Sequence, residues 1–448
     1  MFIGSQLLKA LLTNYKKVKK LSKEAYKGTR DFYPEDMRLQ NYIFATMKSV
    51  VEKYGYEEYT ASILEESDLY RAKTGEEIVN EQTYSFIDRG GRDVTLRPEM
   101  TPTVARMVAN KRRALLFPLR WYSIPNCFRY ERPQRGRLRE FWQLNVDLLG
   151  TDSLFADAEI IKIAYDIMDA FGADPKTFVI KINNRKLMNE FFTRILKLNG
   201  EKSYRLSKFV DKKSKVSEKE FKKESESLVG NKVELLNEFL RATTLDELPE
   251  IIWGSKNLKE LRDVMNTLNS QGVKNCIFDP TLMRGFDYYT GIVFEIFDLN
   301  PLNNRSLFGG GRYDNLVDLF GVEPVPIVGF GMGDLTMQTY LETYNLKPKL
   351  ETKIDVIICM TGGEIITQAV DLATVLRKNG VTVVIDYTDK KMGQKIKNAS
   401  KKQIPFVVIY GPEEVARNEV TIKMMKTGKQ KTIPQNQITN YFKGYNEI

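Results

Sequence analysis

Histidine is absent from the 448-residue chain. A typical protein of this length holds roughly ten, so the gap is informative. It excludes imidazole general bases, Ser-His-Asp triads and histidine-ligated metals. Cysteine is nearly as scarce: Cys127, Cys276 and Cys359 lie far apart and show neither zinc-ligand spacing nor a disulfide framework. No metal site is therefore expected, and the cysteines fit a reducing, cytoplasmic setting. Long hydrophobic runs are missing too. None approaches the roughly 20 residues of a membrane helix, so no membrane partner is expected. Chemistry must run on arginine, carboxylates, tyrosine, hydroxyls, bound ions or the substrate itself.

Positive charge is plentiful. Lys and Arg number 68 against 58 Asp and Glu, a net charge of +10, with a pI near 9.1. That balance suits a polyanionic partner, nucleic acid first, although a solvated lysine-rich surface gives the same sum. The length allows two or three domains, and 42% hydrophobic residues is ordinary for a soluble globular chain. Residues 1–25 form a basic arm in which Lys9, Lys16, Lys17, Lys19, Lys20 and Lys23 outweigh Glu24; Leu7, Leu8, Leu11 and Leu12 suit a short amphipathic helix.

The most informative stretch, 128–147, is FRYERPQRGRLREFWQLNVD. A period of two places Arg129 and Glu131 on one face and Phe128 and Tyr130 on the other. Further on, Phe141, Gln143, Asn145 and Asp147 share a face opposite Trp142, Leu144, Val146 and Leu148. The loop between carries Arg132, Arg135, Arg137 and Arg139 around Pro133 and Gly136. One surface is apolar enough to bury. The other offers guanidinium, carboxylate, amide and an aromatic ring, a floor for a phosphate-bearing ligand with a purine-like part. A surface hairpin with a basic tip fits the same pattern.

Elsewhere, Pro34 opens a helix whose Leu39, Ile43, Met47, Val50, Val51 and Tyr54 form a buried stripe, ended by Gly55. A strand at 94–97 stops at Pro98. Beyond it Glu99 and Thr101 point into one cavity if the chain stays extended, suiting a small cationic or amine-bearing ligand; a helix start at Thr101-Pro102 is the equal alternative. A helix at 155–171 and a strand at 177–182 precede a charge-dense helical block at about 185–275. Segments 284–291 (RGFDYYTG) and 308–314 (FGGGRYD) have the make-up of a closing loop and a glycine-rich turn, and 328–333 that of a strand entering a helix. After a linker at 347–352, strands and helices alternate, which indicates an α/β domain with a mainly parallel sheet. Its Lys390, Lys391, Lys395 and Lys397 face RNA or merely water.

Several of these segments together resemble one family, the histidyl-tRNA synthetases of class II, with bacterial-type motifs. FRYERPQRGRLREFWQ resembles the family's motif 2, MRGFDYYTG and FGGGRYDNL its two histidine-specific signatures, LRPEMT its amino-acid-binding segment and GTRDFYPEDM its start. The resemblance covers roughly residues 26–435. It implies an α+β catalytic core at 26–345, an antiparallel sheet flanked by helices with a helical insertion, and an α/β anticodon-binding domain at 352–448. It implies histidine–tRNA ligase activity with ATP and magnesium, tRNA-His and L-histidine as partners, and a homodimer. Arg129 and Arg284 would be catalytic. Arg129, Glu131, Arg137 and Phe141 would bind ATP. Glu99, Met100, Thr101, Arg129, Gln143, Asp147, Arg284, Tyr288 and Tyr289 would bind histidine, and Gln134 and Arg135 would meet the tRNA acceptor end.

The sequence departs from the family at two positions. Thr336 stands where motif 3 carries an ATP-contacting arginine, and a hydroxyl replaces neither its charge nor its stacking surface. Either another arginine such as Arg312 compensates, or ATP is held more weakly, or the chain is a non-catalytic paralog, a histidine-sensing regulatory subunit or tRNA-binding sensor. Ser62 replaces a proline of motif 1 near the expected dimer interface. The missing histidines also allow a physiological reading: such a synthetase can be translated when charged tRNA-His has run out. Compositional drift and deliberate redesign account for the same gap.

Overall fold

The computed structural model describes residues 21–71, 82–213, 216–283, 288–303 and 305–446. Most of the basic arm and Arg284 therefore lie outside the described residues. The chain divides into two compact units, Met1–Lys347 and Pro348–Ile448.

The first unit begins with α1 (Pro34–Lys53), where Pro34 takes the first turn and Glu35 and Asp36 complement the positive end of the helix dipole. Its Ile43, Met47, Val50 and Val51 are buried in the main core. Strands β1 (Glu57–Glu58), β2 (Leu64–Glu66), β3 (Tyr84–Ile87) and β4 (Asp93–Leu96) follow, and β2-β4-β3 make a small antiparallel sheet. After α2 (Thr101–Lys111) come β5 (Leu119–Ser123), β6 (Asn126–Phe128), β7 (Glu140–Leu149) and α3 (Leu154–Ala170). Then β8 (Phe178–Asn184) leads into a helical block of α4 (Arg185–Glu190), α5 (Gly200–Asp211), α6 (Glu218–Val229), α7 (Val233–Arg241) and α8 (Lys256–Ser270). The chain returns through β9 (Cys276–Phe278), β10 (Ile292–Asp298), β11 (Ser306–Arg312), β12 (Ile327–Gly333) and α9 (Asp334–Thr343).

The large sheet has the order β1-β5-β7-β12-β11-β10-β8-β9, with β6 paired to β7. Its centre is antiparallel and only its two edge pairings, β1–β5 and β8–β9, are parallel. The two-residue alternation decides what each face does. Leu144, Val146 and Leu148 of β7, Val328, Phe330 and Met332 of β12, Phe308 of β11 and Phe294 and Ile296 of β10 join one hydrophobic core with Ile160, Ile163 and Ile167 of α3. Burying such side chains at roughly 1.5–3 kcal/mol each makes this face the main stabilising surface. The opposite face is left for ligand.

The glycine run 309–311, expected as a turn, is instead the middle of β11. Gly310 pairs with Phe330, and a Cβ there would come within 2.0 Å of the Gly329 carbonyl oxygen. Only a bare backbone lets these strands approach so closely. The first arm of the motif 2 hairpin is also shorter than the alternation suggests. Strand β6 stops at Phe128, and beyond it the Gln134–Arg137 bridge closes the loop tip.

In the second unit, β13 (Val356–Met360), β14 (Val383–Asp386), β15 (Phe406–Tyr410), β16 (Glu419–Met424) and β17 (Gln430–Pro434) form a sheet of order β14-β13-β15-β16-β17. Helix α10 (Ile366–Lys378) packs through Leu372 and Leu376 on Val356, Ile358 and Val408, while Ala399 of α11 (Met392–Lys401) packs on Ile357, Cys359 and Val407. The β14–β13 and β13–β15 pairings are parallel, but β15–β16 and β16–β17 are antiparallel. The parallel character thus covers only half of the sheet. Lys390, Lys391 and Lys397 are exposed, whereas Lys395 is buried with its Nζ donating to the Met360 carbonyl at 3.0 Å. That lysine faces neither RNA nor water.

Candidate active site

A cavity of about 740 Å³ opens on the second face of the large sheet. Its floor follows from register. Asp147 pairs with Gly329, Asn145 with Gly331 and Gln143 with Gly333, and Gly309 lies opposite Gly331. The glycines make room for the side chains beside them. A Cβ at Gly329 would fall 2.2 Å from Asp147 Oδ1, and one at Gly331 2.7 Å from Gln143 Nε2. Phe141, Gln143, Asn145 and Asp147 all line the cavity, as do Glu99, Thr101, Arg129, Glu131, Arg137, Tyr288 and Tyr289.

One end is acidic, aromatic and dry. Tyr313 Oη donates to Asp147 Oδ1 at 2.5 Å, and Tyr288 Oη donates to Glu99 Oε2 at 3.1 Å. Asp147 and Glu99 are only 4% and 3% exposed. Burial pushes the Asp147 carboxyl up to about 7, against the opposing pull of the Tyr313 hydroxyl. The Tyr288 and Tyr313 phenols are also driven well above their ordinary value, first by burial and then by the neighbouring carboxylates. The rings of Tyr288, Tyr289 and Tyr313 cluster with centroids 4.9–6.3 Å apart. Thr101 heads α2, so the helix-start alternative holds and yet Thr101 still lines the cavity beside Glu99. Met100 is fully buried and does not line the cavity. Such an end suits a small ring with polar N–H groups and an amine.

The other end is cationic and open. The Arg129 guanidinium lies 5.2 Å from the Phe141 ring centroid and donates through Nε to the Pro98 carbonyl at 2.9 Å. Glu131 sits 3.5 Å from Arg137, whose side chain is 59% exposed. Arg135 reaches Thr343 Oγ1 at 3.4 Å, and with Gln134 it belongs to the loop tip rather than to the cavity wall. Thr336 lines the wall, but its hydroxyl donates to the Gly333 carbonyl at 3.0 Å within its own helix turn.

Arg312 does not compensate for Thr336. It shares the face of Phe308 and Gly310, away from the floor, and is locked by Asp157 at 2.6 Å and by the Thr151 and Ser153 carbonyls. Two other contacts have no local sequence signal. Arg30 pairs with Asp334 at 2.7 Å, and Asp334 also accepts from the Trp142 N–H at 3.0 Å, tying the start of the chain to β7 and α9. Tyr313, which holds Asp147, was visible only as part of the FGGGRYD segment. Tyr204, Lys208 and Asp211 of α5, with Lys212 just beyond it, line the cavity from the helical block. Among the described residues no group of three or more Cys, Asp or Glu is placed to hold a metal, and no helix is long and apolar enough to cross a membrane.

An antiparallel sheet with a two-ended floor of this kind, in a chain carrying a second α/β unit, is that of an aminoacyl-tRNA synthetase. A family model described as histidyl-tRNA synthetase matches residues 28–334, and one described as anticodon binding domain matches 355–445. The chain belongs to the histidyl-tRNA synthetase family. It is 46% identical to a histidine–tRNA ligase of Leptospira biflexa over 93% of this chain and 96% of that one. It is 39% identical to a histidine–tRNA ligase of Thermoplasma volcanium over 92% and 96% of the two chains. In fold it matches the crystal structure of histidyl-tRNA synthetase from Nostoc sp. PCC 7120, with a TM-score of 0.79 at 24% identity, over 95% of this chain and 100% of that one.

Proposed function

We propose that the chain activates L-histidine with ATP and transfers it to tRNA-His. The observation that carries this reading is the continuity of the two ends across one glycine floor. The dry end, Asp147 with Tyr313 and Glu99 with Tyr288, fits imidazole and α-amino groups. The open end, Arg129, Glu131, Phe141 and Arg137, fits a purine nucleotide. Arg129 lies where the two meet. Gln143 and Tyr289 complete the amino-acid side, and Gln134 and Arg135 at the loop tip meet the acceptor end of the tRNA.

In the first step the histidine carboxylate attacks the α-phosphorus of ATP, and the bond to the pyrophosphate leaving group breaks. In the second a ribose hydroxyl at the tRNA 3′ end attacks the acyl carbon, releasing AMP. Both steps build negative charge on oxygen, and the preorganised Arg129 guanidinium stabilises it. Glu131 fixes the adenine and Phe141 stacks on it. No enzyme imidazole is needed. Magnesium would arrive on the nucleotide, held mostly by phosphate and water, which suits a wall poor in clustered carboxylates. The working unit is a homodimer, in keeping with the exposed Leu64, Phe86 and Ile87 of the small sheet.

The test is ATP–pyrophosphate exchange with each amino acid in turn. Exchange is expected with histidine alone. Well-folded protein that shows none, together with a silent Thr336→Arg variant, favours the non-catalytic paralog instead, the reading to which Thr336 lends support.

A further inference from the structure

The wall at Thr336 has a cation nearby that no motif announces. Arg305 immediately precedes β11, and the residues after it, Ser306 and Leu307, line the cavity. Its guanidinium lies against the motif 2 loop. A Cβ at Gly136 would sit 3.3 Å from Arg305 Nη1 and 4.0 Å from Thr336 Cγ2. Gly136 and Thr336 both line the cavity, so Arg305 stands at its rim. Burial, then the nearby Arg137 and Arg135, hold this guanidinium below its ordinary value. No carboxylate among the described residues offsets those like charges at Arg305, in contrast to Arg30 and Arg312, which have Asp334 and Asp157. Arg137 has Glu131 at 3.5 Å and Arg135 has the Glu342 carboxylate nearby, so Arg305 is the guanidinium of the three left for an anion to complete.

We propose that Arg305 is a phosphate-binding residue, holding the distal phosphates of ATP together with Arg137. It supplies from the strand side the cation that the first turn of α9 lacks at Thr336. This assignment rests on the ATP-dependent reading above. Position matters as well as charge. The motif 2 loop bends over Arg305 at Gly136, whose φ of +73° and missing side chain let backbone and guanidinium meet. Phosphate bound between them would draw the loop down onto the wall.

The experiment measures binding directly, with inorganic pyrophosphate and ATP as probes in calorimetry and with tRNA-His in a separate arm. Arg305→Gln is expected to weaken pyrophosphate and ATP about tenfold or more, the ordinary yield of one charge-assisted contact. Arg305→Lys keeps the charge without the planar fork and should lose less. Arg305→Gln/Thr336→Arg, with a cation restored from the helix side, should recover most of the loss. In exchange assays Arg305→Gln and, less strongly, Arg305→Lys should raise the KM for ATP while leaving that for histidine unchanged. Unchanged pyrophosphate binding in Arg305→Gln overturns the assignment, and a loss confined to tRNA would give Arg305 to the tRNA backbone instead. If wild-type protein binds pyrophosphate through Arg305 yet performs no histidine-dependent exchange, the ligase reading fails and the phosphate site stands.

Discussion

At one end of the cavity Asp147 is 4% exposed and held by a tyrosine hydroxyl; at the other the Arg137 side chain is 59% exposed and leans on Glu131 at 3.5 Å. The dry end is finished before any ligand arrives. Asp147 and Glu99 accept from tyrosine hydroxyls, and burial is the first cause that raises the Asp147 carboxyl and the Tyr288 and Tyr313 phenols. The open end gathers Arg129, Arg137 and Arg305 around the motif 2 loop, and on the proposed reading a bound anion completes it. A finished end discriminates by shape and hydrogen bonding, because a ligand that leaves Asp147 or Glu99 unpaired forfeits a buried contact. An open end attracts by charge and is indifferent to much of the ligand's shape. Arg129, fixed by the Pro98 carbonyl and the Phe141 ring, also lines the cavity, and on the proposed reading it is the adaptor between the two ends.

The largest effect is therefore expected at the junction. Arg129→Ala should lower kcat/KM of exchange about 10²–10³-fold, with kcat falling more than KM rises, as befits a contact that strengthens when charge develops. Steady-state exchange kinetics check this. A loss carried wholly by the KM for one substrate would assign Arg129 to one end and dissolve the comparison.

At the dry end the expected effect is smaller and depends on pH. The Asp147 carboxyl, raised from 3.8 to about 7, is largely protonated at pH 6 and ionised at pH 8. Histidine affinity should rise through about pH 7 as the carboxylate forms to accept the imidazole N–H. Free histidine itself titrates near 6.5, so Asp147→Asn serves as the reference. The limb that disappears in the Asn variant belongs to the enzyme. Stability runs the other way. A carboxyl raised in the folded state contributes fully below its unfolded value near 4, and that contribution is lost as pH rises through about 7. The loss is on the order of 4 kcal/mol for a group so deeply buried. Asp147→Asn should thus raise Tm relative to wild type at pH 8 and change it little at pH 4. Parallel thermal melts at the two pH values decide the point. A Tm difference that does not change with pH would mean that the end is not tuned by burial.

The same contrast explains what could be read from the chain. The floor was legible because β7 alternates from Trp142 to Leu148, a pattern that fixes both faces at once. Gly309, Gly310 and Gly311 read as a turn in the sequence because a glycine run has no side-chain alternation to show. Their strand conformation depends on β10 and β12 lying on either side. A turn leaves the direction of Arg312 open. Once the run is a strand, parity with Phe308 sends Arg312 to the other face, where Asp157 waits. In the second unit β16 and β17 show little signal for a related reason: Lys423 and Lys431 mask the strand pattern near an edge of the sheet. Arg305 carried no signal at all. It is a single cation whose meaning comes from Gly136 and Thr336, residues far from it in sequence.

The smallest and most discriminating test compares salt dependence. Counter-ions screen exposed charge far more than buried pairs, with a Debye length near 10 Å at 0.1 M. The KM for ATP should therefore climb several-fold between about 0.05 and 0.5 M monovalent salt, while the KM for histidine stays nearly flat. Arg137→Gln, which removes one exposed guanidinium, should weaken ATP modestly and make its salt slope shallower, because fewer ions are exchanged on binding. Equal slopes for the two substrates would show that both ends recognise ligand on the same electrostatic terms. A flat ATP slope that steepens in Arg137→Gln would instead mean that Glu131 already neutralises the open end.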